Sequence, residues 1–187
     1  MQVIKTPIEG LLIIEPKVFL DARGYFFESF SQREFDEKVG PVRFVQDNQS
    51  SSSRGVLRGL HFQINYPQDK LVRVVRGEVF DVAVDIRKGS PTYGQHVAVE
   101  LTEDNHRQFF ISKGFAHGFS VLSETAVFQY KCDEFYHPEA DDGISIMDES
   151  LGIDWRIPTD KAILSEKDTK HLLLKDFETP FTFNDNI

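Results

Sequence analysis

Residues 78–87 read EVFDVAVDIR and carry the clearest fold signal in the sequence. Apolar side chains stand at positions 80, 82, 84 and 86, whereas Asp81, Asp85 and Arg87 stand on the other parity. Because side chains alternate between the two faces of a strand, this pattern predicts a half-buried β-strand. The chain is therefore predicted to build a sheet that packs one face on a core.

Similar stretches recur along most of the chain. Val97, Val99 and Leu101 alternate with His96 and Glu100 in the same way. Further predicted strands are Leu11–Glu15, Tyr25–Phe30, Val42–Gln46, Val56–Gln63, Leu71–Val75, Gln108–Ile111, Phe119–Leu122 and Ala126–Lys131. Turn residues separate them, and 17 phenylalanines against one tryptophan favour an interior of packed sheets. The sequence predicts an all-β sandwich or barrel, for which a jelly roll is one way to close the sheet.

Helical signals are few and peripheral. Ser31 and Glu34 have capping-box spacing before a short predicted helix that ends at Val39. Ser165 and Asp168 form a weaker start for a C-terminal helical segment.

No change in composition marks a domain boundary, so residues 1–187 are predicted to form one domain. Its C-terminal segment, residues 165–187, is predicted to be helical and peripheral. The run Ser50–Ser53 is interpreted as a loop.

Charge and cysteine content exclude several classes of partner. The formal net charge of −9 makes general binding to nucleic acid or to an anionic membrane unfavourable. Cys132 is the only cysteine, which excludes an intrachain disulfide and a thiolate metal cluster. Without an apolar stretch near ~18 residues or a signal-peptide pattern, the expected location is cytoplasmic.

His61 stands within Arg58–Gln63 in a predicted strand, beside Gly59, which permits a bulge. On its own, this histidine is better explained as a hydrogen-bonded core or surface residue than as a catalyst. Lys70 follows on the next predicted antiparallel strand, so a base and a cation are expected on one face. Parity places Arg58 opposite His61, and a shared site therefore requires Gly59 to distort the strand.

A second histidine, His117, lies between Gly114 and Gly118 in an apolar stretch. Tight packing with a satisfied imidazole and a functional role are both open interpretations. Neither His117 nor His61 belongs to an H-x-H or H-E-x-x-H pair, so the spacing predicts no metal site, although it leaves open one assembled in space.

Three further residues also have structural interpretations. Parity places Tyr130 with the core residues of its strand, its hydroxyl at a rim. Asp168 is explained by stabilisation of a helix start. Arg23 precedes an aromatic strand and is either a solvated edge charge or a phosphate contact.

Taken in order, many short segments resemble the dTDP-4-dehydrorhamnose 3,5-epimerase family. They are Arg23–Phe30, Gln46–Asn48, Arg58–Gln63, Lys70–Val72, Asp81–Arg87, Ser90–Thr92, Gly114–Phe119, Tyr130–Lys131, Tyr136 with Pro138, Gly143–Ile144, Asp148, Leu151–Ile153, Trp155 and Leu164–Ser165 with Lys167–Asp168. The resemblance covers nearly the whole chain. It implies a cupin-type jelly roll that works as a homodimer, exchanges N-terminal strands of about residues 1–30, and needs no metal or cofactor.

The resemblance also implies roles for individual residues. It assigns His61 as general base, Asp168 as the group that orients it, Tyr130 as acid and Lys70 as the stabiliser of the enolate. The substrate is a dTDP-linked keto sugar, and its expected contacts are Arg23, Phe26, Glu28, Gln46, Asp47, Asn48, Arg58, Lys70, His117, Tyr136, Asp141 and Lys167. Arg23, Phe26 and Glu28 are expected to reach the nucleotide of the partner subunit, and Tyr136 to stack on the thymine.

The implied reaction explains this set of residue types. Protons at C3 and C5 of a 4-keto sugar are acidic only because the resulting anion delocalises onto the C4 oxygen. A neutral imidazole can accept such a proton near neutral pH, and a carboxylate on its other nitrogen selects the tautomer. A phenol stays protonated at that pH and can return a proton from the opposite face.

Three positions depart from the family pattern: Asp141 stands where glutamate is frequent, Ile146 where tryptophan is, and Ser112 where proline is. Sequence leaves open three alternatives. They are a single-carbon epimerase of a related dTDP-keto-deoxysugar, a non-catalytic jelly-roll module that binds a sugar nucleotide, and a metal-dependent cupin.

Overall fold

The computed structural model describes residues 1–183, in which two antiparallel sheets face one another. In chain order the strands of this region are β1 (Gln2–Lys5), β2 (Leu11–Glu15), β3 (Phe19–Asp21), β4 (Gly24–Phe26), β5 (Gln46–Ser53), β6 (Leu57–Gln63), β7 (Lys70–Arg76), β8 (Glu78–Asp85), β9 (His96–Thr102), β10 (Gln108–Ile111), β11 (Phe115–Val121), β12 (Thr125–Cys132) and β13 (Asp141–Gly143). One sheet has the order β1-β2-β10-β7-β12-β5, the other has the order β13-β6-β11-β8-β9, and β3 with β4 forms a separate hairpin.

The path of the chain between the sheets is that of a jelly roll. From β5 to β8, and again from β9 to β13, each strand lies in the opposite sheet from the strand before it. Apolar side chains of both sheets, including Val72, Val79, Phe109 and Phe128, pack between them. The predicted all-β jelly roll is confirmed.

Strand β8, which carries most of the alternating pattern at residues 80–87, is buried on both faces, so the prediction of a half-buried strand is wrong. Val79 and Ala83 point between the two sheets, together with the fully buried Asp81 and Asp85. The even-numbered apolar residues 80–86 instead form a second core on the far side of the five-stranded sheet. The segment that follows β13 covers that side with residues such as Trp155 and Phe181, which explains why neither face meets solvent.

Several predicted elements have different bounds or a different structure. The run Ser50–Ser53 is not a loop but the second half of β5, because its backbone pairs residue by residue with Thr125–Phe128 of β12. The predicted strand over 42–46 is absent from this described region, where β5 begins only at Gln46. Of the predicted strand over 25–30, only the first two residues lie in β4.

The single α-helix among residues 1–183, α1, spans Gln32–Lys38 close to the predicted bounds, but the predicted capping box is wrong. Ser31 makes no side-chain cap. Glu34 instead accepts hydrogen bonds from the amino group of Met1, at 2.9 Å, and from Lys38, at 3.2 Å. Attraction between opposite charges draws this carboxylate away from the backbone at the helix start.

The C-terminal segment contains 3-10 turns where a helix was predicted. They include Asp168–Lys170 and Leu174–Asp176, and residues 184–187 lie outside the described part. The Asp168 N–H does donate to the Oγ of Ser165, at 3.1 Å, as the helix-start interpretation requires. No helix in residues 1–183 is long and apolar enough to cross a bilayer.

Candidate active site

A cavity of about 330 Å³ opens between the two sheets. Its lining includes eight of the predicted site residues: Asn48, Arg58, His61, Lys70, His117, Tyr130, Tyr136 and Asp141. They come from strands β5, β6, β7, β11 and β12 and from the connection around β13. Residues 90 or more positions apart in sequence thus meet at one concave surface.

A distortion of β6 brings Arg58 and His61 to the same cavity. His61 pairs with His117 of β11, but Arg58 pairs with Phe119, so β6 contains one extra residue between the two pairs. Gly59 takes up this residue with a φ of +121°, and a Cβ there would lie 2.6 Å from the carbonyl oxygen of His117. The predicted distortion at Gly59 is confirmed.

His61 is held by a carboxylate from the C-terminal segment. Its Nε2 lies 2.5 Å from Oδ1 of Asp168, which is almost fully buried. Burial raises the pKa of Asp168, but the hydrogen bond and charge of His61 and the Ser165 hydroxyl outweigh it, so the pKa of this carboxyl is lowered. An ionised carboxylate accepts the Nε2 proton, which leaves the lone pair on Nδ1, an atom without a hydrogen-bond partner among residues 1–183.

Lys70 and Tyr130 approach the cavity from the opposite sheet. They lie on the paired strands β7 and β12, where Lys70 is opposite Cys132 and Tyr130 is opposite Val72. Burial lowers the pKa of Lys70, although the negative groups at Asp141 and Asp81 oppose this. Burial also raises the pKa of Tyr130 to about 12, so the phenol keeps its proton at neutral pH.

A second histidine–carboxylate pair lies beside the first. The Nε2 atom of His117 is 3.0 Å from both carboxylate oxygens of Asp81. Burial raises the pKa of Asp81, and the charge and hydrogen bond of His117 only partly offset this. The functional interpretation of His117 and the structural one are therefore compatible, because its ring borders the cavity and is also satisfied inside the core.

Polar groups form the rim of the cavity near β13. The Tyr136 hydroxyl donates to Oδ2 of Asp141 at 2.9 Å, and the Lys167 ammonium binds the same carboxylate. Gln46 accepts from the backbone N–H of Tyr136, at 3.0 Å, and donates to Asn48, at 2.9 Å. The Tyr136 residue is 51% exposed, so an aromatic surface is available to a ligand at the mouth.

The comparisons with known proteins agree with this geometry. The family model described as dTDP-4-dehydrorhamnose 3,5-epimerase matches residues 5–176. Enzymes of that name from Methanothermobacter thermautotrophicus and Escherichia coli are 58% identical over 166 residues (88% of this chain, 90% of the relative) and 56% identical over 178 residues (94% and 96%). This chain belongs to the dTDP-4-dehydrorhamnose 3,5-epimerase family.

Structural similarity to the family extends through both sheets. The crystal structure of a dTDP-6-deoxy-D-glucose-3,5-epimerase from Legionella pneumophila, in complex with dTDP-4-keto-L-rhamnose, superimposes with a TM-score of 0.91. It is 53% identical, and the match covers 95% of this chain and 94% of that one. The cupin-like jelly roll expected from the resemblance is the fold of this epimerase family.

Six residues that the family resemblance assigned to the substrate do not line the cavity within one chain. Gln46 and Lys167 stand at its rim, against Tyr136 and Asp141, and the other four lie farther away. Arg23 is exposed and bound to Asp21, and Phe26 is 69% exposed on the β3–β4 hairpin. Glu28 lies beside α1 in a separate small cavity. Asp47 binds Lys131 at 2.9 Å, on the outer side of β5 and β12.

Sequence reasoning missed two residues that support the candidate site. Gln63 stabilises the loop at the rim of the cavity. Its amide oxygen accepts a hydrogen bond from the His137 N–H at 2.7 Å, and its amide nitrogen donates to the carbonyl oxygens of Tyr66 and Phe135. Its parity with His61 was an available signal. Asp81 was seen only as the polar side of a strand, although a carboxylate within an apolar stretch is itself a signal.

Sequence reasoning also missed His171, which lies against His61 but does not line the cavity. Its ring meets the ring of His61 edge-on, at a centroid distance of 5.7 Å and an angle of 84°. Burial lowers the pKa of His171, and the charge of His61 adds to this effect. No sequence pattern pointed to it, because only the turn at 168–170 brings residue 171 behind residue 61.

Proposed function

We propose that the chain inverts C3 and C5 of dTDP-4-dehydro-6-deoxy-D-glucose to give dTDP-4-dehydro-L-rhamnose, a step that supplies dTDP-L-rhamnose. Membership of the epimerase family supports this reaction, and the cavity supports a small-molecule sugar nucleotide. The observation that carries the proposal is the convergence of an oriented imidazole, an ammonium and a phenol on one cavity.

His61 is the proposed general base. With Asp168 accepting the Nε2 proton, the Nδ1 lone pair takes the proton from C3 or C5, and the C–H electron pair moves into the ring to form the enolate. The imidazolium that forms is stabilised by the carboxylate beside it. The low pKa of Asp168 supports this role, because the carboxylate is already ionised before the proton arrives.

Lys70 is the proposed partner of the enolate oxygen at C4. Its ammonium donates to that oxygen as negative charge grows there, and such contacts are worth roughly 3 kcal/mol in comparable sites. The half-buried position of Lys70 supports this, since a charge in a poorly solvated site acts strongly on a neighbouring oxygen. A lowered pKa also brings the ammonium closer to the acidity of an enol.

Tyr130 is the proposed acid that reprotonates the enolate from the other face. It extends from the sheet opposite His61, which supports delivery to the far side of the sugar ring. Transfer of the phenolic proton to carbon leaves a phenolate, which recovers a proton from solvent, while His61 releases its proton to solvent. Repetition at the second carbon completes the double inversion.

Binding is proposed to require a second copy of the chain. Arg58, His117, Gln46 and Asn48 would hold the sugar and diphosphate, and Tyr136 would stack on the thymine beside Asp141 and Lys167. Arg23, Phe26 and Glu28 would contribute from a homodimer partner, with exchange of the first 30 or so residues, and Asp47 stays a predicted substrate contact. The exposure of the β3–β4 hairpin supports this contribution from a partner, because aromatic side chains there are available to contact another subunit.

We further propose a single domain over residues 1–187, a cytoplasmic location and no requirement for a cofactor.

Turnover of dTDP-4-keto-6-deoxyglucose in deuterium oxide, followed by NMR, tests this function. The wild-type chain should take up deuterium at C3 and C5 and invert both. Tyr130→Phe should retain uptake by the base but invert poorly, whereas Tyr93→Phe, outside the cavity, should behave as wild type.

Each of the other outcomes would indicate a different function or mechanism. Inversion at one carbon only would assign the chain as a single-carbon epimerase. Tight dTDP binding without deuterium uptake would assign it as a binding module. Full double inversion by Tyr130→Phe would remove that residue from the mechanism.

A further inference from the structure

The proposed base is one of three neighbouring side chains of the types that bind metal ions. His61, Asp168 and His171 each offer one nitrogen or oxygen atom, and these atoms all lie within 4.8 Å of one another. We propose that this cluster binds a divalent transition-metal ion such as Zn²⁺, and that the bound ion switches off the base. Metal binding stands independently of the proposed function, whereas the effect on turnover rests on it.

The histidine that makes this cluster different from a simple dyad is His171. Both of its ring nitrogens are buried, and neither has a hydrogen-bond partner within residues 1–183. Buried polar atoms in folded proteins are nearly always paired, so two unpaired nitrogens on one ring require an explanation. The proposed epimerisation uses neither of them, and a metal ion would satisfy one.

The backbone holds the His171 ring in place. The turn at Asp168–Lys170 sets the spacing between the carboxylate and the second imidazole, and the Ser145 N–H donates to the carbonyl oxygen of Leu172 at 2.7 Å. The ring lies over Gly143, where an added Cβ would fall 2.5 Å from the imidazole Cε1. These contacts fix the ring beside His61 before any ion binds.

The donor set is suited to zinc. Two imidazole nitrogens and one carboxylate oxygen are found in catalytic zinc sites, where a fourth position stays open. Zn–N distances near 2.0–2.1 Å imply tetrahedral ligand atoms about 3.3 Å apart. The Nε2–Oδ1 pair at 2.5 Å would open and the more distant atoms would close, which side-chain rotation can provide.

Occupation by a metal would remove the basic atom of His61. An ion bound at Nε2 displaces the proton from that nitrogen to Nδ1, so Nδ1 becomes a donor and has no lone pair for the substrate proton. The negative charge of Asp168 is at the same time shared with the ion. Zn²⁺ is therefore expected to inhibit proton abstraction, and removal of the ion should restore it.

Binding can be measured without turnover. The full chain, stripped with a chelator, is titrated with Co²⁺ by visible absorption and with Zn²⁺ by calorimetry. We expect one ion per chain, and roughly tenfold or greater weakening in His171→Asn, since outer-shell losses alone reach that size. His137→Asn, which alters a surface histidine near Glu134 and Glu139, should leave the affinity unchanged.

Further measurements separate the possible failures. Asp168→Asn should also weaken Co²⁺ binding, which tests the cluster if His171→Asn does not fold. In the deuterium assay, Zn²⁺ should suppress uptake by the wild type far more than by metal-free His171→Asn, whose own rate should stay within about twofold of wild type. Equal Co²⁺ affinity in wild type, His171→Asn and Asp168→Asn would overturn the proposal. Metal binding that depends on His171 in a chain without epimerase activity would instead overturn only the proposed function.

Discussion

Two histidine–aspartate pairs stand side by side in this molecule. His61 and His117 are opposite one another on the neighbouring strands β6 and β11, and each is bound to a carboxylate through Nε2. Asp168 comes from a turn over a hundred residues away in sequence, whereas Asp81 comes from the adjacent strand β8. The same residue types therefore occur twice within one cavity wall, in two different settings.

Access and charge distinguish the two pairs. The His61 side chain is 33% exposed and His117 only 8%, while both carboxylates are buried. The pKa of Asp168 is lowered, since the interaction with His61 outweighs burial, and that of Asp81 is raised, since burial dominates. A histidine with an ionised partner and an accessible lone pair is suited to accept protons, whereas a closed pair is suited to shape a pocket.

The largest expected effect is on the histidines themselves. His61→Asn keeps a polar group beside Asp168 but removes the base, so deuterium uptake should fall by roughly 10²–10⁴-fold. His117→Asn, the matched change, should keep the rate of uptake within about tenfold and act mainly on KM. Uptake rates at saturating substrate, measured by NMR, test this prediction. Equal losses of activity in the two variants would contradict the distinction between the two histidines.

The next effect concerns the carboxylates. Asp168→Asn removes the charge that selects the tautomer and stabilises the imidazolium, and we expect about a 100-fold loss of kcat. Asp81→Asn should lower kcat by less than about tenfold, because His117 does not receive the substrate proton. Steady-state kinetics of both variants test this, and a larger loss in Asp81→Asn would reverse the assignment of the two pairs.

The sequence predicted the positions of the strands better than it predicted which segments pack on the faces of the sheets. Alternation located β8 and β9, because period-two patterning depends only on the strand itself. A short apolar run located β10 to the residue. Alternation could not reveal that the segment after β13 buries the second face of β8, since that contact is made by residues far along the chain. Likewise Ser50–Ser53 has no strand signal of its own and is held extended by pairing with β12.

The site was predicted in part for the same reason. The motif around Gly59 located Arg58 and His61 and even the bulge that unites them, because glycine is a local signal. Family resemblance supplied Asp168, whose local pattern indicated only a helix start. Neither a local motif nor the family resemblance pointed to His171. Its position beside His61 depends on a turn that only the structure reveals.

A third prediction tests how the two histidine strands are held together. Gly59→Ala would place a Cβ against backbone atoms of His117 and Gly118, at 2.6 Å from each, in a left-handed conformation. Gly89 also has a positive φ, at +82°, but an added Cβ there meets nothing within 4 Å, so Gly89→Ala measures the strain of alanine at positive φ without a clash. We expect Gly59→Ala to cost about 2 kcal/mol more unfolding free energy than Gly89→Ala. Urea denaturation measures the difference, and equal costs would show that the close approach of β6 and β11 is not what limits this position.

The smallest expected effect is a difference in sign between the carboxylates. A lowered pKa at Asp168 means that its contribution to stability is complete above the ordinary value of 3.8 and is lost as pH falls through the lowered pKa. A raised pKa at Asp81 means that its contribution is present below that value and is lost as pH rises through the raised pKa. As pH falls from about 7 to about 3, the unfolding free energy of wild type should therefore decrease relative to that of Asp168→Asn and increase relative to that of Asp81→Asn. Denaturant melts of the three proteins across that range measure both differences. If they change in the same direction, the two carboxylates share one charge environment, and exposure of the imidazole alone must distinguish the base from its neighbour.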